Sequence, residues 1–168
     1  MAGGLERLWA PWRGEYVKQA SKGEDQGCLF CELQKQDDEE ALILARSEHS
    51  FAVLNRYPYN SGHLMVAPLR HVGELEDVKD DENLDMQRLL QRCIRALKEA
   101  MEPDGFNLGM NLGRVAGAGV PDHLHWHVVP RWNGDTNFMP TIAETKVMPE
   151  DLDATRGRLA TDLAGTDG

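Results

Sequence analysis

One hundred and sixty-eight residues, 41% of them hydrophobic and 27% charged, fit one globular domain and exclude both a disordered chain and a second full domain. Lys and Arg number 18 against 28 Asp and Glu, so the formal charge of −10 repels a phosphate backbone and excludes bulk nucleic-acid binding. An anionic ligand must then be held by a local cluster of donors.

The first residues, 1–26, read as an extension without the apolar core of a secretory signal, and no stretch reaches the roughly 20 apolar residues of a membrane span. A cytoplasmic protein is expected. Cysteines number three, an odd count that argues against a disulfide scaffold. Cys28 and Cys31 form a Cys-x-x-Cys pair, which in a reducing compartment points to a metal or to redox chemistry, whereas Cys93 falls among apolar residues of a helix and reads as core. The acidic run Asp37 to Glu40 reads as a solvated turn. Short β-rich runs follow at Ala41 to Ala45, Phe51 to Asn55 and His63 to Ala67, the last two joined by turn chemistry from Tyr57, Pro58, Asn60, Ser61 and Gly62.

From Asp81 to Met101 the apolar residues Leu84, Leu89, Leu90, Cys93, Ile94, Leu97 and Met101 recur at helical spacing until Pro103 and Gly105 stop the pattern. Phe106 to Leu112 and His123 to Val129 read as two further strands around a glycine-rich loop, Gly113 to Gly119. A last helix is expected from Pro149, with Leu152, Leu159 and Leu163 near one stripe. The class is α+β: a mostly antiparallel sheet of about five strands, one long amphipathic helix and a C-terminal helix.

The chemistry gathers in His123-Leu124-His125-Trp126-His127. On a strand, alternate side chains share a face, so three imidazoles project together while Leu124, Trp126 and Val128 turn inward. An imidazole with one nitrogen held by a carbonyl can attack with the other, and a phosphoanhydride is a fitting target if nearby histidines and loop amides meet its oxygens. The Gly113 to Gly119 loop permits close backbone approach to a phosphate, although glycine-rich turns also merely connect strands. Cys28 and Cys31 need two more ligands for a tetrahedral zinc site, and His71, His123 and His49 are the candidates; redox chemistry is the alternative. Arg114 and Arg131 are candidate anion contacts or plain surface charges. Trp9, Trp12 and Trp132 could stack on a base or pack in a core or interface.

These residues resemble the histidine-triad (HIT) family. The run His123 to Val129 has the signature's three histidines alternating with hydrophobic residues, and Phe51 to Asn55, Pro58, Gly62 to Pro68 and His71 resemble the strand pair that precedes it. The resemblance spans about residues 27–135 and implies a domain over 27–148, followed by a C-terminal helix and tail over 149–168. It implies that His125 is the nucleophile, forming a nucleotidyl-histidine. His127 would contact the phosphate and assist the leaving group, and His63 would support the triad. Asn55 would meet the ribose, and Asn111, with the backbone at Gly117 and Gly119, the phosphate. Cys28, Cys31, His71 and His123 match the ligands of a structural zinc, and a homodimer built through the long helix and an edge strand is implied.

One departure stands out: where many members carry Gln followed by Ser or Thr before the triad, this chain has Gly117-Ala118-Gly119-Val120, so backbone amides must replace side-chain donors. The flanks Leu8 to Arg13 and Pro130 to Phe138 resemble a bacterial branch related to diadenosine polyphosphate hydrolases and phosphorylases. The expected activity is cleavage of a dinucleoside polyphosphate such as diadenosine tetraphosphate, with water or phosphate as acceptor. The alternatives are a nucleoside phosphoramidate hydrolase, a nucleotidylyltransferase, a slow-turnover nucleotide-binding scaffold, or a zinc-stabilised interaction module.

Overall fold

The computed structural model describes residues 27–135 and 151–165. The extension with Trp9 and Trp12, and Pro149, lie outside them. Cys28 caps a short helix α1 (Leu29–Leu33), which leads through the Asp37 to Glu40 turn into β1 (Ile43–Arg46). That turn is solvated as expected, with Asp38 accepting from Arg46 at 2.7 Å. The hairpin β2 (Ser50–Leu54) and β3 (Leu64–Pro68) follows, then α2 (Asp80–Met101), β4 (Gly105–Gly109), β5 (Trp126–Arg131) and α3 (Leu152–Ala164). The five strands form one sheet in the order β1-β2-β3-β5-β4, and every neighbouring pair is antiparallel. This is the expected α+β class. The chain inserts β5 between β3 and β4, so the histidine segment lies beside the buried centre of the sheet while β4 forms an edge.

Every residue of β2 and β3 is buried, which means both faces of this pair are covered and explains why their sequences lack a polar alternation. Helix α2 packs across β2 and β3 through Met86, Leu89, Leu90, Cys93, Ala96 and Leu97. Leu84, expected on that stripe, is exposed: it lies roughly 200° around the helix from Met86 at about 100° per residue. Cys93 is core, and burial pushes its thiol up to about 12, so it stays an inert SH. Helix α3 begins at Leu152 because the Asp151 carboxylate accepts the Ala154 N–H at 2.8 Å. Its buried stripe is Thr155, Leu159 and Leu163 at i, i+4 and i+8, with Leu152 half-buried, and it packs on α2 and β1.

Two features of this frame have measurable consequences. Gly62 in the β2–β3 turn has φ +72°, and a Cβ there would sit 2.7 Å from Met101 Sδ and 3.0 Å from Leu97 Cδ2. Left-handed backbone and overpacking together predict that Gly62→Ala costs about 2–4 kcal/mol, read as a lower urea midpoint. Glu82, on the first turn of α2, is gripped by Arg70 Nε and Nη2 at 2.7 Å each and accepts the Lys79 N–H at 3.0 Å. The Arg70 hydrogen bonds, with the Lys79 amide, overcome burial and hold its carboxyl down to about 2. A folded value below the unfolded one stabilises fully above about pH 4.5, and that stability is lost as pH falls towards about 2. Glu82→Gln is therefore expected to flatten the fall of the urea midpoint between about pH 5 and about pH 3, relative to the unsubstituted chain.

Candidate active site and metal centre

The histidine segment enters the sheet later than its sequence pattern suggests. Pairing starts at Trp126, because the Leu124 N–H goes to the Val72 carbonyl at 2.8 Å instead of to a neighbouring strand. His123 and His125 therefore precede β5, and His127 lies on it opposite Met65 and Gly109. The alternation survives in the extended segment: Trp126 is half-buried and packs against the core with Leu124 and Val128, while His123 is fully buried.

Hydrogen bonds assign the protons on the His125, His63 and His127 rings. His125 Nδ1 lies 2.9 Å from the His123 carbonyl, an acceptor only, so Nδ1 carries the proton and Nε2 presents its lone pair. Burial, against that hydrogen bond, lowers the pKa of His125 below the ordinary imidazole value and keeps the ring neutral near pH 7. A second relay runs the other way. The Tyr59 backbone N–H donates to His63 Nδ1 at 3.0 Å, which leaves the His63 proton on Nε2; that proton meets His127 Nδ1 at 2.9 Å and leaves the His127 proton on Nε2. The two rings, 4.9 Å apart, thus hold opposite roles: His125 offers a lone pair and His127 a proton.

His127 lines an open cavity of about 720 Å³ together with Tyr59, Asn111, Gly117 and Arg131. Gly113 and Gly117 take φ of +78° and +93° around a single 3₁₀ turn, Arg114–Ala116, and the Asn111 amide donates to the Gly117 carbonyl at 3.3 Å. The glycine loop and Asn111 are thus brought to the same wall as His127. His125, His63, Asn55 and Gly119 are not among the lining residues. Asn55 accepts the Tyr57 N–H at 2.9 Å, and its amide nitrogen stands 3.5 Å from both His63 ring nitrogens. Arg131 is tied to Asp135 and to Asn107, the latter at 2.7 Å, and so is a braced wall residue rather than a loose surface charge. Trp132 packs, donating its indole N–H to the Met101 carbonyl at 3.3 Å. Tyr59, Asn107 and Asp135 carry no motif of their own in the sequence; they lie within the turn, the Phe106 to Leu112 run and the flank already quoted.

On the other side of His123 the predicted four ligands converge. The ligand atoms of Cys28, Cys31, His71 and His123 all lie within 4.8 Å of one another. Cys28 Sγ is 3.1 Å from His123 Nδ1, Cys31 Sγ is 3.5 Å from His71 Nδ1 and 3.7 Å from His123 Nδ1. Bonds of about 2.3 Å to sulfur and about 2.0 Å to nitrogen in a tetrahedron would separate ligand atoms by roughly 3.3–3.8 Å, close to what is seen. His123 Nε2 donates to the Pro68 carbonyl at 2.9 Å, which leaves Nδ1 unprotonated and facing both sulfurs. Burial first, and then the neighbouring Cys28, push the Cys31 thiol up. The donor set fits zinc. His49 lies elsewhere, beside Glu48 and Asp81. The Cys-x-x-Cys pair does open a short helix, a placement compatible with redox chemistry, but its sulfurs face two imidazoles.

A HIT domain model matches residues 36–134. The chain is 46% identical over 166 residues to a protein of Mycobacterium tuberculosis named AP-4-A phosphorylase, covering 95% of this chain and 85% of the relative. It is 28% identical over 127 residues to adenosine 5'-monophosphoramidase hnt1 of Schizosaccharomyces pombe, covering 76% of this chain and 91% of the relative. A solved zinc-bound histidine triad family protein from Mycobacterium smegmatis superposes with TM-score 0.60 at 25% identity, covering 91% of this chain and 94% of that one. Sheet, long helix and paired histidines all fall within the matched stretch, and the chain belongs to the HIT domain family.

Proposed function

We propose that the protein is a nucleotidyl-transferring enzyme that cleaves diadenosine tetraphosphate or a close dinucleoside polyphosphate, with inorganic phosphate as acceptor. The observation that carries this reading is the opposed hydrogen bonding of two rings 4.9 Å apart, His125 Nδ1 on the His123 carbonyl and His127 Nδ1 on His63 Nε2. His125 Nε2 attacks the α-phosphorus, the bond to the departing ATP breaks, and His127 Nε2 gives that oxygen its proton. A phosphate oxygen then attacks the same phosphorus, the N–P bond breaks and ADP forms, with His127 recovering its proton from the acceptor. Asn55 binds the ribose hydroxyls, while Asn111 and the backbone at Gly117 and Gly119 meet the phosphate oxygens. The 46% identity to a phosphorylase supports phosphate over water as acceptor.

Cys28, Cys31, His71 and His123 hold a structural zinc, which when bound supplies the charge that keeps two thiolates together and the His123 ring fixed. The 36–134 match supports reading 27–148 as the catalytic domain, with 1–26 as an extension. The edge position of β4 among the described residues supports a homodimer, and the odd cysteine count with a Cys-x-x-Cys pair a cytoplasmic location.

The test is incubation with diadenosine tetraphosphate with and without phosphate, and chromatography of the products. ADP and ATP formed only with phosphate supports the reading. AMP and ATP without phosphate would make it a hydrolase, and no cleavage in either condition would overturn it.

A further inference from the structure

The Tyr59 N–H that meets His63 Nδ1 belongs to a turn that is held from far along the chain. Asn60 donates one amide proton to the end of β5, at the Pro130 carbonyl at 3.0 Å, and one to the turn that follows, at Asp135 Oδ2 at 2.9 Å. Asp135 is itself locked, accepting from the Arg131 guanidinium on both oxygens and from the Trp132 N–H at 3.2 Å. The Asn60 carbonyl in turn accepts the His63 N–H at 3.1 Å, closing the turn in which the Tyr59 N–H reaches His63 Nδ1.

We infer that Asn60 and Asp135 are positioning residues for the proton donor: by tying the 57–62 turn to the end of β5 they fix the proton on His63 Nε2 and, through it, on His127 Nε2. The inference rests on the reading that His127 protonates the departing nucleotide. Without the tie, the Tyr59 N–H leaves His63 Nδ1 and the His63 proton is free to move there. His63 Nε2 then accepts, His127 must donate from Nδ1, and His127 Nε2 turns a lone pair towards the leaving oxygen. The attack by His125 is untouched by this change, since its proton is set by the His123 carbonyl. The defect is confined to one half of the step: P–O cleavage lacks its proton while N–P formation keeps its lone pair.

The prediction separates leaving groups. A nucleotide oxyanion leaves better with a proton, whereas fluoride leaves without one, so diadenosine tetraphosphate and adenosine 5′-phosphorofluoridate are the two probes. In Asn60→Ala and Asp135→Ala, the single-turnover rate is expected to fall about 10–100-fold with the dinucleotide and to stay within about threefold with the fluoridate. Asp135→Asn keeps an oxygen for Asn60 and is expected to recover most of the dinucleotide rate. Independently, ¹⁵N–¹H spectra of the imidazoles above the histidine titration range should show His63 with its proton on Nε2 in the unsubstituted protein and a mixture of the two tautomers in both alanine variants. Thermal melting shows that the variants are folded. A His63 proton that stays on Nε2 in both variants overturns the inference, as does an equal loss on both substrates. If the unsubstituted protein turns over neither substrate, the proposed activity fails, and the imidazole spectra still decide the roles of Asn60 and Asp135.

Discussion

Replacing His125 with alanine is expected to lower turnover at least about 10,000-fold, because every productive step passes through a bond to its Nε2. The substitution has a second cost that could be mistaken for the first. The ring is buried against Phe30 at 4.8 Å between centroids, and it satisfies the His123 carbonyl, so its loss leaves a cavity and an unpaired acceptor. About 1–3 kcal/mol of stability should go with it, or roughly 2–12 °C in melting temperature for a chain of this size. His125→Asn separates the two effects. Its side-chain amide can donate to the same carbonyl but has no nitrogen lone pair to attack phosphorus. It is expected to melt close to the unsubstituted protein while being as inactive as the alanine variant. Rapid quench with radiolabelled substrate should trap a nucleotidyl-protein in the unsubstituted chain and none in either variant. Turnover by His125→Asn above a few per cent of normal would remove His125 from the role of nucleophile.

How much of this was legible in the sequence depends on how local each feature is. The long helix could be read because its apolar period and its stop at Pro103 are properties of adjacent residues, and it runs from Asp80 to Met101 as the pattern requires. The same reading overcounted Leu84, since an apolar residue on a helix announces its type and not its side. His125 and His127 announced themselves through period-2 spacing, although the strand starts only at Trp126. What decides their protons was not legible. The His123 carbonyl is backbone chemistry available to any residue, and the relay from Tyr59 through His63 to His127 joins segments 64 residues apart. Asn60 reads as turn chemistry and Asp135 as a polar flank until the fold places them 2.9 Å apart across 75 residues of chain. The Asp85 carboxylate gave no signal either. It gathers the Ser47 and Ser50 hydroxyls at 2.6 Å each and the His49 N–H at 3.2 Å, bonds that outweigh its burial and hold its pKa below the ordinary value. A helical carboxylate and a pair of serines have no sequence pattern that says they meet.

The second large effect is expected at the four-ligand cluster. Cys31→Ser removes the sulfur that stands between both imidazoles, 3.5 Å from His71 and 3.7 Å from His123, and should take bound zinc from about one per chain to near zero, read by elemental mass spectrometry. A metal present at about 1,000 times its dissociation constant contributes about 4 kcal/mol to the folded state. At roughly 2–4 °C per kcal/mol, the melting temperature should fall by roughly 8–16 °C, and a chelator should bring the unsubstituted protein to the same value. Turnover should fall as well, though less than in His125→Ala. The His123 ring is fixed at one nitrogen by the cluster and at the other by the Pro68 carbonyl, and its own backbone carbonyl holds the His125 proton. Loosening the ring loosens that carbonyl, and the expected loss is about 10–100-fold in turnover, of the size seen when a supporting contact around a metal ligand is removed. The sign of the coupling tests the cause. If the cluster acts through His123, Cys28→Ser and Cys31→Ser should lose turnover to the same extent, because either change opens the tetrahedron. A protein that purifies without metal, melts unchanged in chelator and keeps full turnover would show that the sulfurs and imidazoles meet here for packing alone.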